Sequence, residues 1–477
     1  MSAAQLARKV VRNALSQMVG RNLIALARLA VAATIVRLWG RDAFGEYSLI
    51  LGLLTMAEWV LDFGTTEIFV RDICRDRAQE PTLLGALAAA KLVQAPAAFA
   101  FLAFALWALR YPKHILEAGL VGGFSLVFMA AVLVLRALVK ADLALHLEVF
   151  AELMSVLAMV GLVWVAGYAG AGLLGLFLCH TASRAVFFTI LACLVRSRYR
   201  ASLRDVHWTR IAPALRSSLA VGMIGLLVVF YESVDIIVLS KFSSTSDLAY
   251  YSAAQRLIWP LVMALSSVGS TLYPLAASFW PHDRSSFEHA SQRALNLVLL
   301  LAVAAACCTM ASAESLMALL GKDLQPGSAA LRILALLLVV KAVTATLGPV
   351  LYVVHAQRQA LQFIILAVLA KVSLAAAVAP RYGYLGVALA SLLTEAFFAA
   401  LPSVAILQSH SGYQIRWKVP LRLATAGLAT VATITWAIPD GTLAAGIAAG
   451  LFYLPLALMS GAVRKADLTL WTAGRTA

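Results

Sequence analysis

Fourteen apolar runs, each about 18–27 residues long and set apart by short polar breaks, leave this 477-residue chain few folds to choose from. They lie near 12–38, 45–70, 83–109, 116–136, 144–166, 172–195, 212–240, 247–278, 289–311, 328–354, 359–379, 384–408, 420–438 and 443–463. Within a bilayer core every backbone N–H and C=O must bond inside the protein, so runs of this length fold as helices. The expected fold class is an all-α polytopic membrane protein with about 14 transmembrane helices. With 62% hydrophobic and 13% charged residues, a soluble globular chain is excluded. The N-terminus lacks a short apolar region followed by a small-residue cleavage site, so the first span is expected to persist as a helix.

An even number of spans puts both termini on one side, and the basic residues say which. Short cytoplasmic loops are enriched in Lys and Arg. One series of breaks carries Arg8, Lys9 and Arg12, then Arg71, Arg75 and Arg77, then Arg136 and Lys140, then Arg196, Arg198, Arg200, Arg204 and Arg210. It continues with Arg284, Arg293, Arg358, Arg416 and Lys418 and ends with Arg464, Lys465 and Arg475. The opposite breaks hold only Arg41, Arg110, Lys113, Lys241, Lys322 and Arg381. This bias, roughly three to one, places both termini in the cytoplasm. It also accounts for much of the net charge of +15 without nucleic acid as a partner.

The longest basic connection, SRYRASLRDVHWTRIAPALRSS, falls near the middle of the chain. It reads as a hinge between an N-terminal lobe (1–200, helices 1–6) and a C-terminal lobe (201–411, helices 7–12). Residues 412–477 then hold helices 13 and 14 and a cytoplasmic tail. A shift of 204 residues lays AFGEYSLILGL (Ala43 to Leu53) over DLAYYSAAQRL (Asp247 to Leu257), matching Tyr47 with Tyr251 and Ser48 with Ser252. Six helices separate the copies, so the repeat is parallel, about an axis along the membrane normal, and such repeats place a substrate site between the halves.

Charges inside the spans need a reason, because an ionised side chain at the bilayer centre costs at least ~2.5–3.5 kcal/mol. Arg21 and Arg28 lie seven residues apart, on nearly one helix face and about 10 Å apart along the axis. Two readings are open for them: lining a cavity for an anionic substrate, or pairing with Glu58 or Asp62, which share a face of the next helix. Arg37 points away and can snorkel. The same shift lays Arg28 over Glu232, three residues before Asp235. These two acids read either as a proton or cation site or as a latch on Arg28. Lys91, Arg184, Arg256, Lys341 and Lys371 continue the cationic theme, and Glu148, Glu152 and Glu395 are further acids. Arg28, Arg256 and Lys341 sit deep in helices of both halves and could cluster only around a central cavity. Pro96, Pro260, Pro274, Pro349, Pro402 and Pro455 are candidate bending points.

Five cysteines, Cys74, Cys179, Cys193, Cys307 and Cys308, have neither metal-ligand spacing nor the even count of a disulfide framework. No Gly-rich phosphate loop and no cytoplasmic loop long enough for a catalytic domain is present, so there is no ATP site. The driving force is expected to be an ion gradient, the membrane potential or the substrate gradient, with no cofactor, metal or catalytic residue.

The opening from Asn13 to Asp76 resembles bacterial polysaccharide repeat-unit flippases, the oligosaccharide-lipid branch of the multidrug/oligosaccharidyl-lipid/polysaccharide exporter superfamily. Three pieces carry the likeness: Phe44-Gly45-Glu46-Tyr47, the turn Asp62-Phe63-Gly64, and Arg71. YYSAAQRL around Arg256 and LMALLGKDLQPGSAALRILAL are similar to the corresponding second-half segments. The resemblance implies a two-lobed bundle working by alternating access in the bacterial inner membrane. Its substrate would be an undecaprenyl-diphosphate-linked oligosaccharide, moved to the periplasmic leaflet. Arg21, Arg28, Arg256 and Lys341 would contact the diphosphate; Glu232, Asp235, Glu58 and Asp62 would serve ion coupling or a lobe latch. Membrane lipids, a glycan polymerase and a chain-length regulator are the implied partners. A peptidoglycan-precursor flippase would share this architecture, whereas a multidrug extruder would favour acids where helix 1 has arginines. A membrane glycan polymerase or ligase would need a sizeable outer loop, which no break here provides.

Overall fold

The computed structural model describes residues 3–198, 208–438 and 441–459. Of the expected hinge, residues 199–207 lie outside the described residues and 208–218 form the start of a helix; the expected cytoplasmic tail, 464–477, also lies outside the described residues. Among the described residues each of the fourteen expected runs falls on helix, the run 45–70 being broken at Phe63–Gly64. Among the described residues, nine helical stretches are long and apolar enough to cross a membrane. Two of these, Val19–Arg75 and Gln357–Ser411, are far longer than a bilayer requires.

Close packing divides the chain into two units, Met1–Lys241 and Phe242–Ala477. The first holds α1 (Ala3–Asp62), α2 (Thr65–Arg75), α3 (Glu80–Ala108), α4 (Lys113–Gly123), α5 (Ser125–Ala141), α6 (Leu145–Tyr168), α7 (Leu173–Val195) and nearly all of α8 (Trp208–Phe242). The second holds α9 (Thr245–Phe279), α10 (Arg284–Ala311), α11 (Ala313–Leu320), α12 (Ser328–Val353), α13 (Gln357–Thr394), α14 (Leu401–Ser411), α15 (Lys418–Ala437) and α16 (Leu443–Met459). A π-helical turn, Glu395–Ala400, joins α13 to α14.

The over-long stretches break where the backbone turns left-handed. Gly40 (φ 83°) interrupts α1 between its two spans, and Gly383 (φ 53°) does the same in α13. Phe63 (φ 43°) and Gly64 (φ 73°) separate α1 from α2, at the turn that the family resemblance marks as Asp62-Phe63-Gly64. The breaks at Gly40 and Phe63–Gly64 have no proline beside them, whereas Pro380 stands three residues before Gly383. Pro96, Pro349 and Pro455 lie inside α3, α12 and α16, because proline's fixed φ suits a helix even though it removes one backbone bond.

In the first unit α1 packs along α6 and α3, and α7 packs on α4, α5 and α6, around Ile35, Phe44, Ile50, Leu61, Phe177 and Phe187. At Gly222 of α8 an added Cβ would stand 2.6 Å from the Phe63 carbonyl oxygen, and at Gly225 it would strike the Trp59 ring. Such contact requires glycine. At the far end of α8, Ser240 bonds the Tyr111 hydroxyl at 2.7 Å, while the Lys241 ammonium lies 3.6 Å over the Tyr111 ring and donates to the Leu109 carbonyl. Helix α8 is therefore bound to the first unit at both levels.

In the second unit α12 is central, against α9, α10 and α13, while α15 and α16 pack on each other and on α10. Gly446 and Gly450 bring α16 against Ser312 and Cys308. The outward faces of α15 and α16 show Trp436, Leu451 and Met459, a surface suited to lipid. The weak sequence repeat has a packing counterpart. Tyr47 packs tilted against Phe177 of the sixth span (centroids 5.3 Å), and the Tyr251 hydroxyl lies 3.4 Å from that of Ser391 in the twelfth.

Candidate functional site

Three helices of the first unit carry four pairs of ionisable groups four or seven residues apart, a spacing that puts both members of a pair on one helix face. Helix α1 supplies Arg21 and Arg28 in its first span and Glu58 and Asp62 in its second; α6 supplies Glu148 and Glu152; α7 supplies His180 and Arg184. Lys91 on α3 and Arg136 on α5 complete the set. Arg28 Nη2 donates to Glu152 Oε1 at 2.6 Å, and Arg184 Nη2 donates to Glu58 Oε1 at 2.9 Å. Arg136 Nε stands 2.6 Å from Glu148 Oε1, and Lys91 Nζ donates to Asp62 Oδ1 at 2.8 Å.

Glu152 is the centre of this network. The charges of Arg28, Arg184, Arg136 and Arg21 all act on its carboxylate. Arg21 is exposed and has no ion pair of its own among the described residues, and the Arg28 side chain keeps 54% of its surface despite its bond. His180 is buried behind them, its ring 6.1 Å from Phe177 and its Nε2 without a partner. Beside His180, the set holds five Arg and Lys against four carboxylates, and the Arg left without an ion pair among the described residues, Arg21, is exposed.

Glu58 and Asp62 thus meet Arg184 and Lys91, where the sequence offered the helix 1 arginines as partners. A helical wheel orders residues around their own axis and leaves open which neighbour they face. Glu232 is half-buried and Asp235 buried on α8. In the second unit Lys341 Nζ stands 3.3 Å from Glu395 Oε2, whose other oxygen accepts from Thr344 Oγ1 at 2.7 Å. Glu395 opens the π-helical turn, a feature that recurs at functional positions. Arg256 is half-buried on α9, and Lys371 is buried on α13. Sequence reasoning singled out neither Glu152 nor His180 as a site residue. The Glu148/Glu152 and His180/Arg184 spacings were the signal available.

Two units of apolar helices with ionisable groups held inside them define a multi-pass membrane protein, and its fold is that of known transporters. The lipid II flippase MurJ in an inward closed conformation is 13% identical and matches with a TM-score of 0.75, over 96% of this chain and 99% of that one. An inward-facing multidrug resistance transporter of the MATE family is 16% identical, with a TM-score of 0.66 over 82% and 95% of the two chains. A MOP superfamily transporter from Pyrococcus furiosus, described as having a binding pocket of reversed polarity, is 16% identical, with a TM-score of 0.61 over 85% and 96%. No curated protein sequence matches this chain. The chain belongs to the polysaccharide biosynthesis protein family, whose pattern matches residues 34–326.

Proposed function

We propose that the protein is a flippase that carries undecaprenyl-diphosphate-linked oligosaccharide repeat units from the cytoplasmic to the periplasmic leaflet of the bacterial inner membrane. It would do so by alternating access, for O-antigen, capsule or exopolysaccharide synthesis. The observation that carries this reading is Arg28, half-exposed and held by a carboxylate that Arg184, Arg136 and Arg21 also surround. A diphosphate brings more negative charge than one carboxylate and accepts bidentate guanidinium bonds, so it competes for Arg28 and Arg21. Glu152 keeps Arg28 in place when no substrate is bound. Arg256 and Lys341 are the proposed phosphate contacts of the second unit, with Glu395 holding Lys341 as Glu152 holds Arg28. Glu232 and Asp235, with Glu58, are proposed as coupling acids or as a lobe latch, driven by an ion gradient or the membrane potential; Asp62, bonded to Lys91 at 2.8 Å, is not free to exchange an ion.

Lobes of residues 1–200 and 201–411 with an appended 412–477, the first helix of the second lobe, α8, being packed on α1 to α7 and so within the first compact unit, belong to the same proposal. So do cytoplasmic termini and cooperation with a glycan polymerase and chain-length regulator. The likeness to the lipid II flippase favours a second reading, a peptidoglycan-precursor flippase, because a lipid diphosphate is common to both substrates.

The test is the leaflet in which lipid-linked repeat units accumulate in deletion cells complemented with wild type, Arg28→Ala or Arg28→Lys. Cytoplasmic-side trapping relieved by wild type and not by Arg28→Ala is the expected result. Repeat units that reach the periplasm in the deletion strain would refute transport. Trapped peptidoglycan precursor in place of repeat units would select the second reading.

A further inference from the structure

Helix α1 stops at Asp62, and α2 resumes at Thr65 after two residues of left-handed backbone. Interrupting a helix at membrane depth frees carbonyl groups that nothing in lipid can satisfy. Here one side chain gathers them. The Lys91 ammonium donates to Leu61 O at 3.1 Å, Asp62 O at 3.3 Å, Asp62 Oδ1 at 2.8 Å and Thr65 Oγ1 at 2.8 Å. The lysine side chain is 2% exposed, so water takes little part. An ammonium has three protons for these four oxygens, so part of the contact is held by charge and not by a directed bond.

Two main-chain carbonyls, a carboxylate and a hydroxyl form the all-oxygen set that hard cations take, and unwound helix carbonyls are a recurrent source of alkali-ion ligands in transporters. The cage is also fixed from outside. Thr66 donates to Asp62 Oδ1 through its N–H at 3.4 Å and through its hydroxyl; Thr65 Oγ1 lies 2.6 Å from Asp62 O and 3.2 Å from Gln94 Oε1. Arg136 is the further charge that acts on both Lys91 and Asp62, and it is paired with Glu148.

We propose that this break is a monovalent-cation site in which Lys91 is a tethered resident cation, and that removing the lysine side chain opens it to a free cation of ammonium size. The tethered charge holds the break unwound whatever the ionic conditions, so no dissolved ion exchanges at this position. The oxygen distances suit an ammonium or potassium ion; sodium or lithium would require the cage to contract. The order of preference is therefore potassium, rubidium and ammonium ahead of sodium, and sodium ahead of lithium.

The experiment is thermal unfolding of the purified full-length protein in chloride salts at constant ionic strength, with N-methylglucamine as the inert cation. Wild type is expected to melt at the same temperature in every salt. Lys91→Ala is expected to melt lower in N-methylglucamine and to recover by a saturable shift of a few degrees in potassium, rubidium or ammonium. Adding Asp62→Asn should abolish that recovery. Lys91→Ser gives the same readout should Lys91→Ala yield no folded protein, and recovery of either variant only when extracted in potassium supports the proposal equally. A folded variant no more responsive to potassium than wild type overturns it, as does a response that survives Asp62→Asn, or failure of both variants to fold in every salt. Because the readout is melting, the result stands whether or not the chain carries lipid-linked oligosaccharides.

Discussion

At Glu152 one carboxylate answers four guanidinium groups, which makes the two ends of its bond to Arg28 unequal. Replacing Glu152 leaves Arg28 without its acceptor and exposes Arg184, Arg136 and Arg21 to one another. Replacing Arg28 leaves Glu152 still facing three cations. Glu152→Gln is therefore expected to cost about 1.5–3 kcal/mol of stability, the range for a hydrogen bond to a charged group, and Arg28→Ala less. Melting temperatures of the two purified variants compare them directly, and an Arg28→Ala protein as unstable as Glu152→Gln would refute the asymmetry. Outside the membrane, Asp283 caps α10 by accepting from Ser286 N at 3.0 Å. The Ser286 side chain, then its backbone N–H, hold the Asp283 carboxyl below its ordinary value. A depressed folded-state value means that the cap's contribution is present above the ordinary carboxylate range and is lost as pH falls through the lowered one. Asp283→Ala should accordingly melt below wild type at neutral pH, and the gap should close in acid.

At the scale of the element, the left-handed positions differ in what surrounds them. A Cβ at Gly40 would meet nothing within 4 Å, so Gly40→Ala carries only the conformational cost of a positive-φ extended backbone, about 1–3 kcal/mol. Gly222 is helical and unstrained, yet its Cβ would collide with the Phe63 carbonyl, and backbone cannot swing away as a side chain can. Gly222→Ala should be the more damaging, by more than the roughly 1–3 kcal/mol typical of overpacking, because α8 must back off the α1–α2 break. Thermal unfolding of both variants decides the order. The Phe63–Gly64 break lies inside the apolar run 45–70 that hydropathy reads as one helix, and only the family resemblance marks Asp62-Phe63-Gly64 as a turn. The closeness of α8 to that break was not legible, because Gly222 is an ordinary small residue until its neighbour is known.

For the whole molecule, the sidedness of the basic breaks predicts which face each cysteine reports. Cys74 is exposed on α2 between Arg71 and Arg75. A membrane-impermeant maleimide should label it in inside-out vesicles and leave it untouched in intact spheroplasts; the reverse pattern would invert the topology. Cys307 is buried and should stay unreactive in both. The packing that ends the first unit at Lys241 keeps α8 with α1 to α7, through Gly222, Gly225 and the Tyr111–Ser240 and Tyr111–Lys241 contacts.

From the amino-acid sequence alone the helical membrane fold follows, because a bilayer allows a long apolar run no other way to satisfy its backbone. The family likeness also follows, since Phe44 to Tyr47 and Asp62 to Gly64 stand in order and at their spacing. That buried charges exist is equally plain, as is the expectation that they are paired. Tertiary structure alone decided the partners: Asp62 with Lys91 and not with Arg21 or Arg28, Glu58 with Arg184, Arg28 with Glu152, Lys341 with Glu395. The physical reason is that helical periodicity fixes the direction of a side chain relative to its own helix, while an ion pair depends on the rotation and depth of two helices, which only their packing sets.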